Sequence, residues 1–422
     1  MLTRLKQAVK TNKTIVQNFS YLSLLQMFNM AIPLFTYPYL IRVLGVEIYG
    51  LVVFAQAILG YFVILIDFGF SISATKEISI HRNNKDKLNE IVSSIFIIKG
   101  VLFVISVVSF IIILNFFKQA ENYKLLFYLT LSSCLYNWLF PIWYFQGLEK
   151  MKYITIINVV SRTIFMGLIF LLIINKEDYL YFPIINGIGA VASIFAALYI
   201  IFSKHKIKFL IPTKSTLTYY FKESIPIFVS NISIKLYVSS NKVIVGAFLG
   251  MGSVAFYDLA EKLVSILRMP QGILSQTLFP KISKDKNLGF VKKIFKMSLW
   301  FNIGVYILFL MLLKPIVLLL GGEEMLPVIP TAIILGLTIP FTAMSNIFGV
   351  QLLLPFGYNK EFSTVIVSSG IVYLTLILFT KFIFEFSIEN LSLTTVITEA
   401  FVVTYMFYYC LKFNLWKRNM TT

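Results

Sequence analysis

The sequence predicts an all-α integral membrane protein: about twelve transmembrane helices in two six-helix bundles with two-fold pseudosymmetry, and both termini cytoplasmic. Three observations predict it. Of 422 residues, 58% are hydrophobic and 13% charged, with a mean hydropathy of +0.83. No soluble domain of this size needs so much apolar surface, and disorder is excluded. The apolar residues gather into runs long enough for a hydrocarbon core of about 30 Å. The basic residues crowd into alternate connections between those runs.

Met1 to Thr14 is polar and basic, with Arg4, Lys6, Lys10 and Lys13, and Leu2, Leu5 and Val9 form a small apolar face suited to the membrane surface. The first apolar run continues through Tyr37-Pro38-Tyr39-Leu40, past signal-peptide length and without a small-residue cleavage site, so it reads as a retained helix. Gln26, Asn29 and Pro33 mark it, and Pro33 frees a carbonyl and favours a kink. The twelve predicted spans are 15–41, 47–73, 91–115, 124–146, 153–174, 180–203, 223–249, 252–277, 295–320, 327–354, 363–383 and 391–411.

Of 37 lysines and arginines, 25 fall in the N-terminal segment, the connections near 74–90, 147–152, 204–223, 278–296 and 355–362, and the C-terminal tail. Six lie in the alternate connections: Arg42, Lys118, Lys124, Lys176, Lys314 and Lys381. The positive-inside rule puts the rich side in the cytoplasm. This distribution accounts for the net charge of +18 without nucleic acid as a partner. The opposite side has only short connections, which argues against a site built there.

The halves look related. Leu44-Gly45 and Leu249-Gly250 lie 205 residues apart, as do Ala55-Gln56 and Ala260-Glu261. Gly147-Leu148-Glu149-Lys150 and Gly357-Tyr358-Asn359-Lys360 share a G-x-x-K pattern at an offset of 210. The expected organisation is an N-terminal bundle at 1–203, a cytoplasmic linker at 204–222 and a C-terminal bundle at 223–422.

The chemistry concentrates between Glu223 and Lys284. Two apolar segments joined by Gly250-Met251-Gly252-Ser253 contain Lys235, Lys242, Asp258, Glu261, Lys262 and Arg268. Each charge in mid-span costs roughly 2.5–3.5 kcal/mol on insertion scales. On a helix, Lys235 and Lys242 lie about 20° apart, with Ser224, Asn231 and Ser239 on the same stripe; the other four charges fit an arc of roughly 120°. Such stripes either line a water-filled cavity or glue helices together by salt bridges.

Further ionisable residues in spans are Lys99, Arg162, Asp67 and Glu399, giving six bases and four acids. The two surplus cations require water or an anionic ligand, which points to an anionic or phosphate-bearing substrate. Candidate substrate-binding residues are Arg162, Lys235, Lys242, Lys262, Arg268, Lys99 and Asn231. Candidates for coupling or charge balance are Asp67, Asp258, Glu261 and Glu399. Arg162 has Asn158 one turn earlier and suits bidentate phosphate or carboxylate contacts. Lys99 either joins the site or snorkels to the surface. Asp67 is expected to pair with Lys76. Trp138, Trp143 and Tyr144, clustered around Pro141, are either interfacial anchors or a sugar platform. Cys134 and Cys410 suggest no disulfide, and His81 and His205 have no metal-site spacing. There is no phosphate-binding loop, and no cofactor is expected.

The stretch Asn137-Trp-Leu-Phe-Pro-Ile-Trp-Tyr-Phe-Gln-Gly-Leu-Glu-Lys-Met-Lys-Tyr153 resembles the Wzx-type O-antigen and polysaccharide flippases of the multidrug/oligosaccharidyl-lipid/polysaccharide exporter superfamily. Leu44-Gly45 with Tyr49-Gly50, Asp67-Phe68-Gly69-Phe70, Phe279-Pro280 and Leu352 to Tyr358 agree with it. The resemblance implies a two-bundle transporter of the bacterial inner membrane with no enzymatic activity. It implies alternating access that turns an undecaprenyl-pyrophosphate-linked oligosaccharide repeat unit (O-antigen, capsule or exopolysaccharide) from the cytoplasmic to the periplasmic face. A coupling proton or sodium ion, a polysaccharide polymerase and chain-length proteins are implied partners. Many relatives carry an acid near the position of Asn241-Lys242; its absence here counts against cation coupling at that point. Two alternatives stand beside this one. A drug antiporter of the same superfamily would favour surplus acid, the reverse of this chain. A membrane glycosyl-transfer enzyme would need longer outer connections.

Overall fold

The computed structural model describes residues 13–383 and 385–416, whose regular structure is helical throughout. The surface segment expected around Leu2, Leu5 and Val9 lies outside them. Nine helical stretches among the described residues are long and apolar enough to cross a membrane. One of these, Ser20–Ile80, is 61 residues long. At 1.5 Å per residue it rises about 90 Å, enough for more than one crossing.

Helix α1 (Lys13–Asp67) runs through Pro33 and Pro38 and breaks instead at Gly45, with φ 75° and ψ 165°. Glycine is required there because an L side chain is strained at that φ. Helices α2 (Phe70–Ile80) and α3 (Lys85–Leu114) follow; Asn84 caps α3 by accepting from the Lys87 amide at 3.1 Å. The predicted span 124–146 is three short pieces, α4 (Lys124–Thr130), α5 (Ser132–Leu139) and α6 (Ile142–Gly147). Pro141 separates the last two because it carries no amide hydrogen for the helical ladder. Helices α7 (Met151–Leu172) and α8 (Tyr181–Leu198) complete the first half, and α8 continues as a π-helical turn, Tyr199–Lys204.

Helices α9 (Lys214–Phe248) and α10 (Met251–Asp285) are long enough to cross, but their charges dilute their apolar character. Next come α11 (Leu288–Gly321), α12 (Val328–Gly336), α13 (Thr338–Ser345), a π-helical segment Asn346–Leu353, α14 (Asn359–Ile383) and α15 (Ile388–Lys412).

Backbone conformations recur at a nearly fixed offset. Gly250 has φ 91° and ψ 169°, the conformation of Gly45, at the offset of 205 that the sequence suggests. Glu149 and Gly357 both take left-handed conformations, φ 57° and 92°, as do Lys206 and Asn414, φ 53° and 58°. Both pairs are 208 apart. Around Glu149 the Lys150 amide bonds the Phe145 carbonyl at 2.8 Å, and around Gly357 the Tyr358 amide bonds the Leu353 carbonyl at 2.9 Å. These are matching Schellman turns. The G-x-x-K alignment at 210 is therefore out of register by two, since the left-handed position falls on Glu149 in one turn and on the glycine in the other.

The residues divide into two compact units. One comprises Met1–Ile48 and Ala55–Asn231, the other Tyr49–Phe54 and Ile232–Thr422. In the first, a core forms around Ile78, Ile95, Trp143, Tyr144 and Phe145. Trp143 and Tyr144, each 1% exposed, are core residues rather than interfacial anchors or a sugar platform. The Tyr144 hydroxyl lies 3.0 Å from His205 Nδ1, and Lys150 Nζ lies 2.9 Å from Nε2. Burial, then the charges of Lys150 and Lys204, hold the His205 imidazole below its ordinary pKa. In the second unit, a core forms around Ile282, Phe348, Leu352, Val402 and Met406.

The segment Tyr49–Phe54 belongs to the second unit through close packing. A Cβ at Gly50 would overlap the backbone carbonyl of Met251, and one at Gly246 would overlap the Phe54 ring. Small residues at such contacts let membrane helices approach. Gly50→Ala should therefore lower the melting temperature of the purified protein. The contact is backbone and cannot rotate away, so the expected loss is about 1–3 kcal/mol. An unchanged melting curve would show that the two helices separate freely there.

Candidate functional site

In the second unit, the charged site is built by the turn at Gly250. Lys242 lies eight residues before the turn and Asp258 eight after it, so the hairpin of α9 and α10 brings them level. Lys242 Nζ sits 2.7 Å from Asp258 Oδ1 and 2.5 Å from Glu261 Oε2. Lys262, one turn along α10, places its Nζ 2.5 Å from Asp258 Oδ2. The Tyr49 hydroxyl donates to Asp258 Oδ2 at 2.9 Å and accepts from Lys262 Nζ at 2.6 Å. Asp258 is 2% exposed, so its carboxylate owes its charge to two ammonium groups and one phenol.

Beside this cluster the second unit holds a cavity of about 310 Å3, whose lining includes Glu261, Arg268, Tyr237, Ser345 and Glu399. Glu399, isolated in the sequence, accepts hydrogen bonds from Ser345 Oγ at 3.0 Å and Thr342 Oγ1 at 3.4 Å. Arg268 donates to the Thr338 hydroxyl, while its buried Nε has no hydrogen-bond partner among the described residues. Glu399 and Glu261 act on it electrostatically without an ion pair. Lys235, two turns before Lys242, makes no ion pair among the described residues and feels both Lys242 and Glu261.

Asn241 is buried and its amide is fully engaged. Nδ2 lies 2.8 Å from the Tyr257 hydroxyl, 2.8 Å from Thr395 Oγ1 and 3.1 Å from the Leu391 carbonyl, while Tyr373 donates to Oδ1 at 2.5 Å. A neutral amide thus ties α9, α10, α14 and α15 together.

In the first unit, Lys99 is buried and pairs with Asp67 at 3.7 Å, so it does not snorkel. Lys76 meets Glu223 instead, at 3.9 Å, because Asp67 already faces the lysine of α3 and the Ser71 hydroxyl at 3.0 Å. Arg162 is exposed on α7 and has no ion pair among the described residues; Tyr136 is close enough to act on it electrostatically. Asn158, one turn earlier, accepts from the Tyr136 hydroxyl at 2.8 Å. Asn231 is half-buried. The predicted stripe of α9 is not one environment. Ser224 is buried against Ser73 at 2.6 Å in the first unit, whereas Lys235 and Lys242 belong to the second.

The structure thus gathers Lys242, Asp258, Glu261 and Lys262 in one cluster, Arg268 and Glu399 in one cavity, and Lys99 with Asp67. Tyr257, Tyr373 and Thr395 carry no charge and have no periodic signal in the sequence, whereas Tyr49 shares a helix face with Gln56, Gly60 and Asp67 and stands in the Tyr49-Gly50 motif. No cluster of three or more metal-ligating side chains occurs among the described residues.

Residues 15–286 match the family of polysaccharide biosynthesis proteins. A protein of Escherichia coli (strain K12) assigned as an O-antigen transporter is 28% identical, covering 94% of this chain and 97% of its own. One of Shigella dysenteriae, assigned likewise, is 27% identical over 92% and 98% of the respective chains. Among solved structures, the lipid II flippase MurJ in an inward closed conformation superposes with a TM-score of 0.76 at 17% identity, over 92% of this chain and 87% of that one. An inward-facing multidrug resistance transporter of the MATE family gives a TM-score of 0.69 at 12% identity, over 96% and 100%. The chain belongs to the family of polysaccharide biosynthesis proteins, whose pattern covers well over half of it.

Proposed function

We propose that this protein is a flippase for undecaprenyl-pyrophosphate-linked oligosaccharide repeat units, moving the sugar from the cytoplasmic to the periplasmic face of the inner membrane by alternating access. One observation carries the reading beyond family membership: acidic partners leave Arg162, Lys235 and Arg268 without an ion pair among the described residues. A cation kept without a carboxylate partner in a membrane-spanning segment suits an anionic ligand, here a pyrophosphate. In this reading the lipid tail stays in the bilayer while the charged head and sugars cross along polar surfaces. Arg162, Lys235, Lys242, Lys262, Arg268, Lys99 and Asn231 contact the head group. Asp67, Asp258, Glu261 and Glu399 balance the site between substrates, and any coupling ion acts through them rather than through Asn241. A drug antiporter is disfavoured by the surplus of base.

The reading is tested in proteoliposomes carrying a lipid-linked repeat unit, followed by lectin capture of sugar exposed on the far leaflet. Protein-dependent exposure is expected for the lipid-linked glycan. Equal exposure in empty liposomes would overturn it.

The proposal includes twelve spans in bundles at 1–203 and 223–422, a linker at 204–222 and both termini cytoplasmic. Reporter fusions after Lys87, Lys214 and Lys286 should read cytoplasmic, and fusions after Asn122, Asp178 and Glu324 periplasmic. A periplasmic signal at Lys286 would break this topology.

A further inference from the structure

The first unit contains a hollow of about 670 Å3 unlike the charged site, walled by Phe96, Gly100, Val104, Trp138, Leu198 and Phe209 among others. Every side chain lining it is apolar, and the Trp138 indole N–H is spent on the Phe96 carbonyl at 3.0 Å. Gly100 shapes it: a Cβ there would lie 3.0 Å from the indole, so glycine lets Trp138 rest against α3. From Phe96 to Ile105 the hollow follows α3 for about 14 Å.

Phe209, in the segment after α8, lines part of the hollow, and that segment is pinned. The Lys208 amide donates to Asn89 Oδ1 at 2.8 Å and the Leu210 amide to Ser93 Oγ at 2.8 Å, both acceptors being buried on α3. Ile207 is buried and Phe209 reaches the hollow, while Leu210 and Ile211 project outward, Ile211 being 92% exposed. Interleaved with them are Lys204, Lys206, Lys208 and Lys214, with no acidic residue between. Greasy side chains and ammonium groups exposed together on a pinned backbone match the headgroup level of a bilayer, where each finds its own partner.

We propose that the hollow and its basic rim bind an anionic phospholipid, with an acyl chain along α3 and the phosphate at Lys204, Lys206 and Lys208. Charge complementarity selects this occupant. The run from 204 to 214 carries four lysines and no acid, and a zwitterionic headgroup brings an ammonium of its own into it. A transported lipid does not fit the role, because no ionisable side chain lines the hollow away from the rim to follow a head group across.

The test is native mass spectrometry of the full-length protein in detergent, given equal amounts of dioleoyl phosphatidylglycerol and dioleoyl phosphatidylcholine. The wild type should retain phosphatidylglycerol about fivefold over phosphatidylcholine, and the triple variant Lys204→Gln/Lys206→Gln/Lys208→Gln should bring the two within about twofold. Val104→Trp, at an exposed position, should fill the hollow and reduce retention of both lipids about threefold. Equal retention by the wild type, or a preference that survives loss of the lysines, would overturn the headgroup site. Undiminished retention in Val104→Trp would overturn the tail site.

Discussion

Asp258→Asn should remove most of the membrane-inserted protein. The carboxylate is buried and holds Lys242 and Lys262 at once, with Tyr49 on its second oxygen. Neutralising it leaves Lys262 facing an amide, while Lys242 keeps only Glu261. Breaking a buried pair from one side costs about 3–5 kcal/mol, comparable with the stability of a whole domain. Glu261→Gln should be milder, because Lys242 retains Asp258 and Glu261 already borders a cavity. The repair follows from the geometry. Asp258→Asn combined with Lys262→Met removes the ammonium that has lost the Asp258 carboxylate and leaves the Lys242–Glu261 pair intact, so abundance should return. Export then separates two roles. If Asp258 only balances charge, the double variant exports polysaccharide; if it changes protonation during the cycle, the double variant is abundant and inactive. Normal abundance of the Asp258→Asn single variant, measured by quantitative blot of washed membranes, would show that the ion pairs do not support the fold.

The sequence pattern reached the charged cluster because burying charge in an apolar run is costly and therefore visible. It named Lys242, Asp258, Glu261 and Lys262, and the spacing around Gly250 was enough to bring them together. It misjudged pairings wherever a third helix intervened. Helical proximity along α10 puts both Asp258 and Glu261 near Lys262; Asp258 does take Lys262, while the Glu261 carboxylate reaches across to Lys242. Asp67 went to Lys76 by nearness in sequence and in fact meets Lys99 on α3. Aromatic clusters near a proline read as interfacial, yet the break at Pro141 turns Trp143 and Tyr144 inward, which no periodicity over so short a helix signals. Neutral partners such as Tyr373 and Thr395 left no trace, since hydroxyls are cheap to bury once bonded and are common in any span. The two-residue error in aligning the halves has the same origin: residue identity was matched, whereas the repeat preserves backbone conformation at Glu149 and Gly357.

Arg162→Ala and Lys235→Ala should each abolish surface polysaccharide while leaving membrane protein at normal abundance. Neither side chain makes an ion pair among the described residues, so neither substitution strands a carboxylate. The folding cost that dominates at Asp258 is therefore absent. Under the proposed function, what is lost is a contact to the anionic head group, and a charge-assisted hydrogen bond of about 1.5–3 kcal/mol corresponds to roughly a ten- to hundredfold fall in transport at limiting substrate. The conservative swaps should differ. Lys235→Arg keeps a charge that has no fixed partner geometry, and it should retain much of the activity. Arg162→Lys loses the planar fork suited to two phosphate oxygens, and Asn158, held by the Tyr136 hydroxyl, does not replace it. A complementation assay with quantified membrane protein measures all four. Wild-type polysaccharide in both alanine variants would remove these cations from the transport path, and would leave the surplus charge of the spans without a role.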